Sequence, residues 1–233
     1  IATKIRDYDP YEKNLIVDLA FDGENNSTKI VDNGTLKSNW TVNGNAKIST
    51  TQKFDGFSSL YAYDEVYTNS TINLENLDFT ISFNFLFDTF GSEFNAIVTS
   101  KTGSATENRV QLAHTSYGGT SRIFFEANNN NVNIFQIAVI YNWQINIPYK
   151  IDIIRRDNNL FFYKDGILLT QSTIAATTEN VILNGLKFGN FDWSSDMTGI
   201  TRGYIKNFKI YKGVAIIPED PTGKIQLDFD NNV

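Results

Sequence analysis

Apolar and polar positions alternate most cleanly between Tyr149 and Leu169, where the chain reads Y-K-I-D-I-I-R-R-D-N-N-L-F-F-Y-K-D-G-I-L-L. Tyr149, Ile151 and Ile153 alternate with Lys150 and Asp152, the period-two signature of a strand with one buried face. Asp157-Asn158-Asn159 reads as a tight turn, because Asn and Asp tolerate left-handed backbone and bond their own main chain. Leu160–Tyr163 returns as a second strand, and Asp165-Gly166 supplies the positive φ of the next hairpin. Short antiparallel strands in such close succession form a meander, which in a long Cys-free chain predicts a β-sandwich or barrel.

The same period recurs along the chain. In Phe79–Phe87 the side chains of Phe79, Ile81, Phe83, Phe85 and Phe87 point one way, and Thr80, Ser82, Asn84 and Asp88 the other. Further strands are expected at Leu15–Phe21, Gly56–Ala62, Ala96–Ser100, Val110–His114, Arg122–Glu126, Asn133–Ile140, Gly185–Gly189 and Tyr204–Tyr211. Asp22–Gly44 is rich in Asn, Gly, Ser and Thr and reads as loop. No amphipathic helix longer than two turns is evident, so the pattern predicts an all-β, two-sheet antiparallel jelly-roll β-sandwich.

Composition narrows the function classes. The 233 residues suit one all-β domain, and 18 Phe, 11 Tyr and 3 Trp provide for a sizeable core. The net charge of −6 and the lack of a basic run disfavour nucleic acid, which demands clustered Lys and Arg. The absence of Cys removes disulfides and thiolate zinc sites. No apolar run reaches spanning length and the start does not resemble a signal peptide, so no membrane insertion is expected. A chain that opens on Ile1 reads as a processed product or a piece of something longer.

One internal echo bears on domain organisation. D-P-Y-E-K-N-L-I-V-D-L-A-F-D-G-E-N-N at Asp9–Asn26 is partly repeated as D-P-T-G-K-I-Q-L-D-F-D-N-N at Asp220–Asn232. The expected layout is a lead-in at residues 1–13, one sandwich domain at 14–217, and a linker with the start of a second copy at 218–233. The alternatives are coincidence in an Asn-rich chain, or pairing of the tail onto the sandwich as an edge strand.

Six fragments, in order, resemble the concanavalin A-like, laminin-G-type jelly roll, in the version found in phage tail, virion and bacterial surface proteins. They are L-I-V-D-L-A-F-D-G (15–23), F-D-G-F-S-S-L-Y-A-Y (54–63), L-D-F-T-I-S-F-N-F (77–85), Y-K-I-D-I-I-R-R-D-N-N-L-F-F-Y-K-D-G-I-L (149–168), L-K-F-G (186–189) and G-Y-I-K-N-F-K-I-Y-K-G-V-A (203–215). The resemblance implies a sandwich over residues 14–217. That family includes carbohydrate binders, adhesion modules and purely structural domains, so the ligand must be argued from the residues.

Catalysis finds little support in them. Glycosidases on related sandwiches alternate carboxylates along one strand. Here Asp64 and Glu65 are adjacent, hence on opposite faces, and Glu126 stands alone. The single His114 has Ser116 two residues on, but no G-x-S-x-G elbow exists, and a structural or surface role is expected for it. For metal, Asp22, Asn25, Asn26, Asp32 and Asn33 form an oxygen-rich stretch of the type that suits calcium, with Asp22 and Asp32 as candidate ligands and a solvated loop as the rival reading. The Asp-Asp frequent in the family's last strand is Lys206-Asn207 here, and an ammonium there would oppose a cation.

Sugar recognition needs an aromatic platform beside fixed polar groups. G-N-F-D-W-S-S-D-M at Gly189–Met197 has that composition, with Trp193 beside Asn190, Asp192 and Asp196, and T-S-Y-G-G-T-S at Thr115–Ser121 adds Tyr117. Trp143 and Trp193 are both open between capping the sandwich and a site, with core favoured for Trp143 and neither for Trp193; Asn-x-Ser/Thr triplets such as Asn39-Trp40-Thr41 arise by chance in so Asn-rich a chain. The expected function is non-catalytic adhesion: binding of cell-surface glycans by a module of a phage tail or virion protein or another extracellular surface protein. An oligomer or tandem array would raise weak single-site affinity, because the second contact is intramolecular. The rival is a structural or decoration domain packed on other virion or surface subunits, for which an exposed apolar patch would speak.

Overall fold

The computed structural model describes residues 9–54, 57–90, 94–101, 108–116, 119–130, 132–176, 178–189, 202–219 and 221. Two antiparallel sheets pack face to face. The first runs β14 (Ile167–Thr173), β13 (Asn159–Lys164), β12 (Pro148–Arg156), β7 (Phe79–Thr89), β17 (Arg202–Lys212), β4 (Phe57–Tyr61) and β3 (Lys47–Phe54), with β1 (Leu15–Leu19) also paired to β17. The second runs β11 (Val132–Ile140), β10 (Arg122–Asn129), β9 (Arg109–Thr115), β8 (Phe94–Thr99), β16 (Leu186–Phe188), β5 (Glu65–Thr68) and β2 (Thr41–Asn43). A short pair, β15 (Val181–Leu183) with β6 (Ile72–Glu75), stands apart from them. This is the expected two-sheet jelly-roll β-sandwich.

The alternation in β7 does what its pattern predicts. Phe79, Ile81, Phe83, Phe85 and Phe87 are all buried in a core fed by both sheets, with Phe79 against Phe125 and Phe135 at 6.5 and 6.2 Å. Leu86 breaks the alternation and buries on the other face, in a small cluster with Phe54 and Tyr204. The predicted meander is β12–β13–β14. Its turns are Asp157-Asn158, with Asp157 at φ 53°, and Asp165-Gly166, with both residues at positive φ as the twist of a two-residue hairpin requires.

Strands of three or four residues went unforeseen at β2, β5, β6 and β15, as did the longer β3. Leu15–Phe21 stops at Leu19, and Phe21 takes positive φ. In β17 a bulge at Asn207 (φ 51°) adds one residue between Lys206, opposite Asn84, and Lys209, opposite Ser82. After Gly213 the chain stays on the first sheet: Ile216 N–H donates to Thr80 Oγ1 at 2.8 Å, and a Cβ on Gly166 would lie 2.7 Å from the Glu219 carbonyl.

Strand order gathers one set of connections at one end of the sandwich. β7 ends and β8 begins there, as do β9 and β10, β11 and β12, and β16 and β17.

Candidate binding surface

Cross-strand partners share a face, so one row can be followed across the whole second sheet. Thr41 pairs with Tyr67, Tyr67 with Lys187, Lys187 with Thr99, Thr99 with Gln111, Gln111 with Glu126, and Glu126 with Gln136. All seven residues are polar or amphipathic, and they face away from the core. The middle of the row, from Lys187 to Glu126, is buried, whereas Thr41 and Gln136 at its ends are exposed.

Glu126 is the hub. Its carboxylate accepts from Arg109 Nη2 and Gln111 Nε2, from Gln136 Nε2 at 3.0 Å and from Asn128 Nδ2 at 3.5 Å; Asn133 Nδ2 in turn donates to Asn128 Oδ1 at 3.3 Å. A carboxylate this buried needs such partners, since an isolated charge in apolar surroundings is costly. No second carboxylate joins Glu126 among these partners; they are cations and amides from three strands and were invisible in a linear reading. Gln111 Oε1 is buried without a partner among the described residues. Further along the row, Lys187 Nζ lies 2.9 Å from Glu65 Oε1, and Glu65 also accepts from Asn43 Nδ2 at 2.9 Å. These contacts hold the Glu65 carboxyl below its ordinary pKa against the opposing effect of burial. Asp64, on the other face of the chain, accepts from the backbone and side-chain N–H groups of Asn45 at 2.7 and 2.8 Å.

The aromatic-and-Asp positions expected to bind sugar, Tyr117, Asn190, Asp192, Trp193 and Asp196, lie outside the described residues. Their anchors do not. Gly119 N–H donates to Ser116 O at 3.0 Å, and Gly189, at φ 91°, leaves no room for a Cβ beside the Asp64 carbonyl 2.6 Å away. Both anchors sit at the end where β9 gives way to β10 and β16 to β17. Trp143 belongs to the core, its ring edge-on to Tyr149 at 5.1 Å.

The calcium candidates are engaged otherwise. Asp22 accepts from Lys206 Nζ at 2.6 Å, and the same ammonium reaches Ser58 O at 2.7 Å and Ala20 O at 3.2 Å. A monovalent cation thus occupies this oxygen cage. Asp32 accepts the backbone N–H groups of Asp18, Gly34 and Ser38 at 2.9, 2.9 and 3.0 Å, which fixes the loop between β1 and β2. Among the described residues no three acidic or His side chains gather as a metal site. His114 is buried between Phe87 and Phe90, within reach of Asn95 and of Ser121 Oγ at 2.9 Å; burial pushes its pKa down to about 4.

No protein-family model and no curated protein sequence matches the chain. Solved structures do. The binding domain of Paraclostridial Mosquitocidal Protein 1 is 15% identical with a TM-score of 0.64, over 88% of this chain and 50% of that one. The binding domain of Botulinum neurotoxin DC in complex with rat synaptotagmin II gives 16% and 0.61, over 88% and 49%; the same domain in complex with SialylT gives 14% and 0.61, over 88% and 49%. The chain spans about half the length of these binding domains, and at such identities what it shares with them is the β-sandwich fold.

Proposed function

We propose that this chain is a non-catalytic binding module that engages cell-surface glycans, as part of a phage tail, virion or other surface-directed protein. The observation that carries the reading is the polar row on the second sheet, centred on Glu126. Its open end offers Gln136 and Asn133 to solvent, beside a carboxylate and a ring of amides, the donor and acceptor types that sugar hydroxyls need. Along the strands the row lies about 13 Å from the Tyr117 connection and about 7 Å from the anchor of the Trp193 stretch, distances a short oligosaccharide covers. In this reading Trp193 and Tyr117 give the aromatic platform and Asn190, Asp192 and Asp196 further polar contacts. A neighbour of the same fold held in complex with SialylT supports the ligand class. Residues 14–217 would form the binding unit, with 218–233 leading to a second copy.

A glycan-array screen of the multimerised chain tests this. Wild type is expected to bind a defined glycan set, Trp193→Ala to lose it, and Gln136→Ala or Asn133→Ala to weaken it about fivefold per hydroxyl contact removed. Correctly folded, multimerised protein that binds no glycan would sink the reading.

A further inference from the structure

A second surface lies at the end of the sandwich, on the connection from β11 to β12. From residue 140 to 147 the chain reads I-Y-N-W-Q-I-N-I, without a charged side chain. Ile140 is 72% exposed; Ile145, Ile147 and Tyr141 are exposed too, as is Phe90 on the neighbouring connection. The tip is held rigidly. Trp143 plugs it into the core, Gln144 N–H donates to Tyr149 Oη at 3.0 Å, and Asn146 N–H donates to the Phe87 carbonyl at 2.7 Å beside a bridge between Phe87 and Ile145. An apolar tip fixed in this way loses little conformational entropy on docking.

Two cations flank it. Arg122 is exposed and sits directly across the strands from Ile140. Lys164 Nζ lies 5.0 Å over the Tyr141 ring, paired with Asp165 at 2.5 Å. We propose that this tip is a peripheral docking site for a lipid bilayer containing anionic phospholipid, with the isoleucines in the acyl boundary, Tyr141 at headgroup level and Arg122 on phosphate. A run too short to span a bilayer can still rest in its interface, where apolar burial and basic side chains add. The chain's net charge of −6 does not forbid this, because charges farther than a Debye length from the surface are screened.

Co-sedimentation with phosphatidylcholine vesicles, with and without phosphatidylserine, tests the proposal without any glycan present, so it stands or falls apart from the sugar-binding reading. Wild type is expected to pellet with the phosphatidylserine vesicles, more weakly at high salt. Ile140→Asp combined with Ile147→Asp should weaken binding on the order of 100-fold, and Arg122→Glu by at least about fivefold. Gln136→Ala, on the polar row, should bind as wild type does. The tip residues are exposed, so near-UV circular dichroism of the variants should match wild type. Wild type left in the supernatant with both vesicles would overturn the proposal, as would undiminished pelleting of the folded double variant. Sedimentation velocity that shows self-association abolished by the same substitutions, with vesicles ignored, would assign the tip to protein contact and overturn it too.

Discussion

Burial keeps His114 uncharged, with Asn95 Nδ2 beside its Nδ1 at 3.4 Å and Ser121 Oγ beside its Nε2 at 2.9 Å. With a folded pKa of about 4 against 6.5 when exposed, the unfolded chain binds the proton more readily between those values. The stability tied to this group is therefore complete above about pH 6.5 and is lost as pH falls towards about 4. Thermal melts across that window should show His114→Gln with a shallower acid decline than wild type; identical slopes would remove His114 as a cause. Asp32 has a similar structural task. Asp32→Ala strands three backbone N–H groups and should cost about 3 kcal/mol in denaturant titrations. Because the Lys206 ammonium already fills the cage of Asp22, Ser58 and Ala20 oxygens, a chelator should leave the melting temperature unchanged, and a drop would restore calcium to the account.

Strands are where sequence pattern and packing agree best. Phe83 is fully buried and meets Phe208 at 5.7 Å, so Phe83→Ala should cost about 3–5 kcal/mol, while Asn84→Ala on the opposite face of β7 should cost under about 0.5 kcal/mol. Equal losses would mean that β7 is not seated as its alternation demands. Long strands announced themselves because β7 and β12 carry enough alternation to exclude a helical period. The strands β2, β5, β6 and β15 run three or four residues, too few for any period to declare itself. Leu86 shows a different limit: an apolar residue on the polar face of a strand makes sense only once Phe54 and Tyr204 are seen beside it.

At the scale of the molecule, one continuous apolar core draws on both sheets, from Val17 and Phe208 to Phe125 and Leu186. A single cooperative unfolding transition should follow, with far-UV circular dichroism and Trp fluorescence coincident in urea. Separate midpoints would show the two sheets unfolding apart. Turn chemistry, alternation, aromatic content and the lack of Cys were enough to reach the two-sheet sandwich from the chain alone, because strand periodicity and turn preference are local properties of consecutive residues. The candidate site was legible only in part. The stretches around Tyr117 and Trp193 declared themselves by composition, whereas Glu126 looked solitary. Its partners Arg109, Gln111 and Gln136 are separated from it by 10 to 17 positions and meet it only through strand register. The cage around Lys206 likewise joins residues up to 186 positions apart. Tertiary structure alone decided these, because a charge can be buried only where hydrogen-bond partners from distant parts of the chain converge on it: donors on the Glu126 carboxylate, acceptors on the Lys206 ammonium.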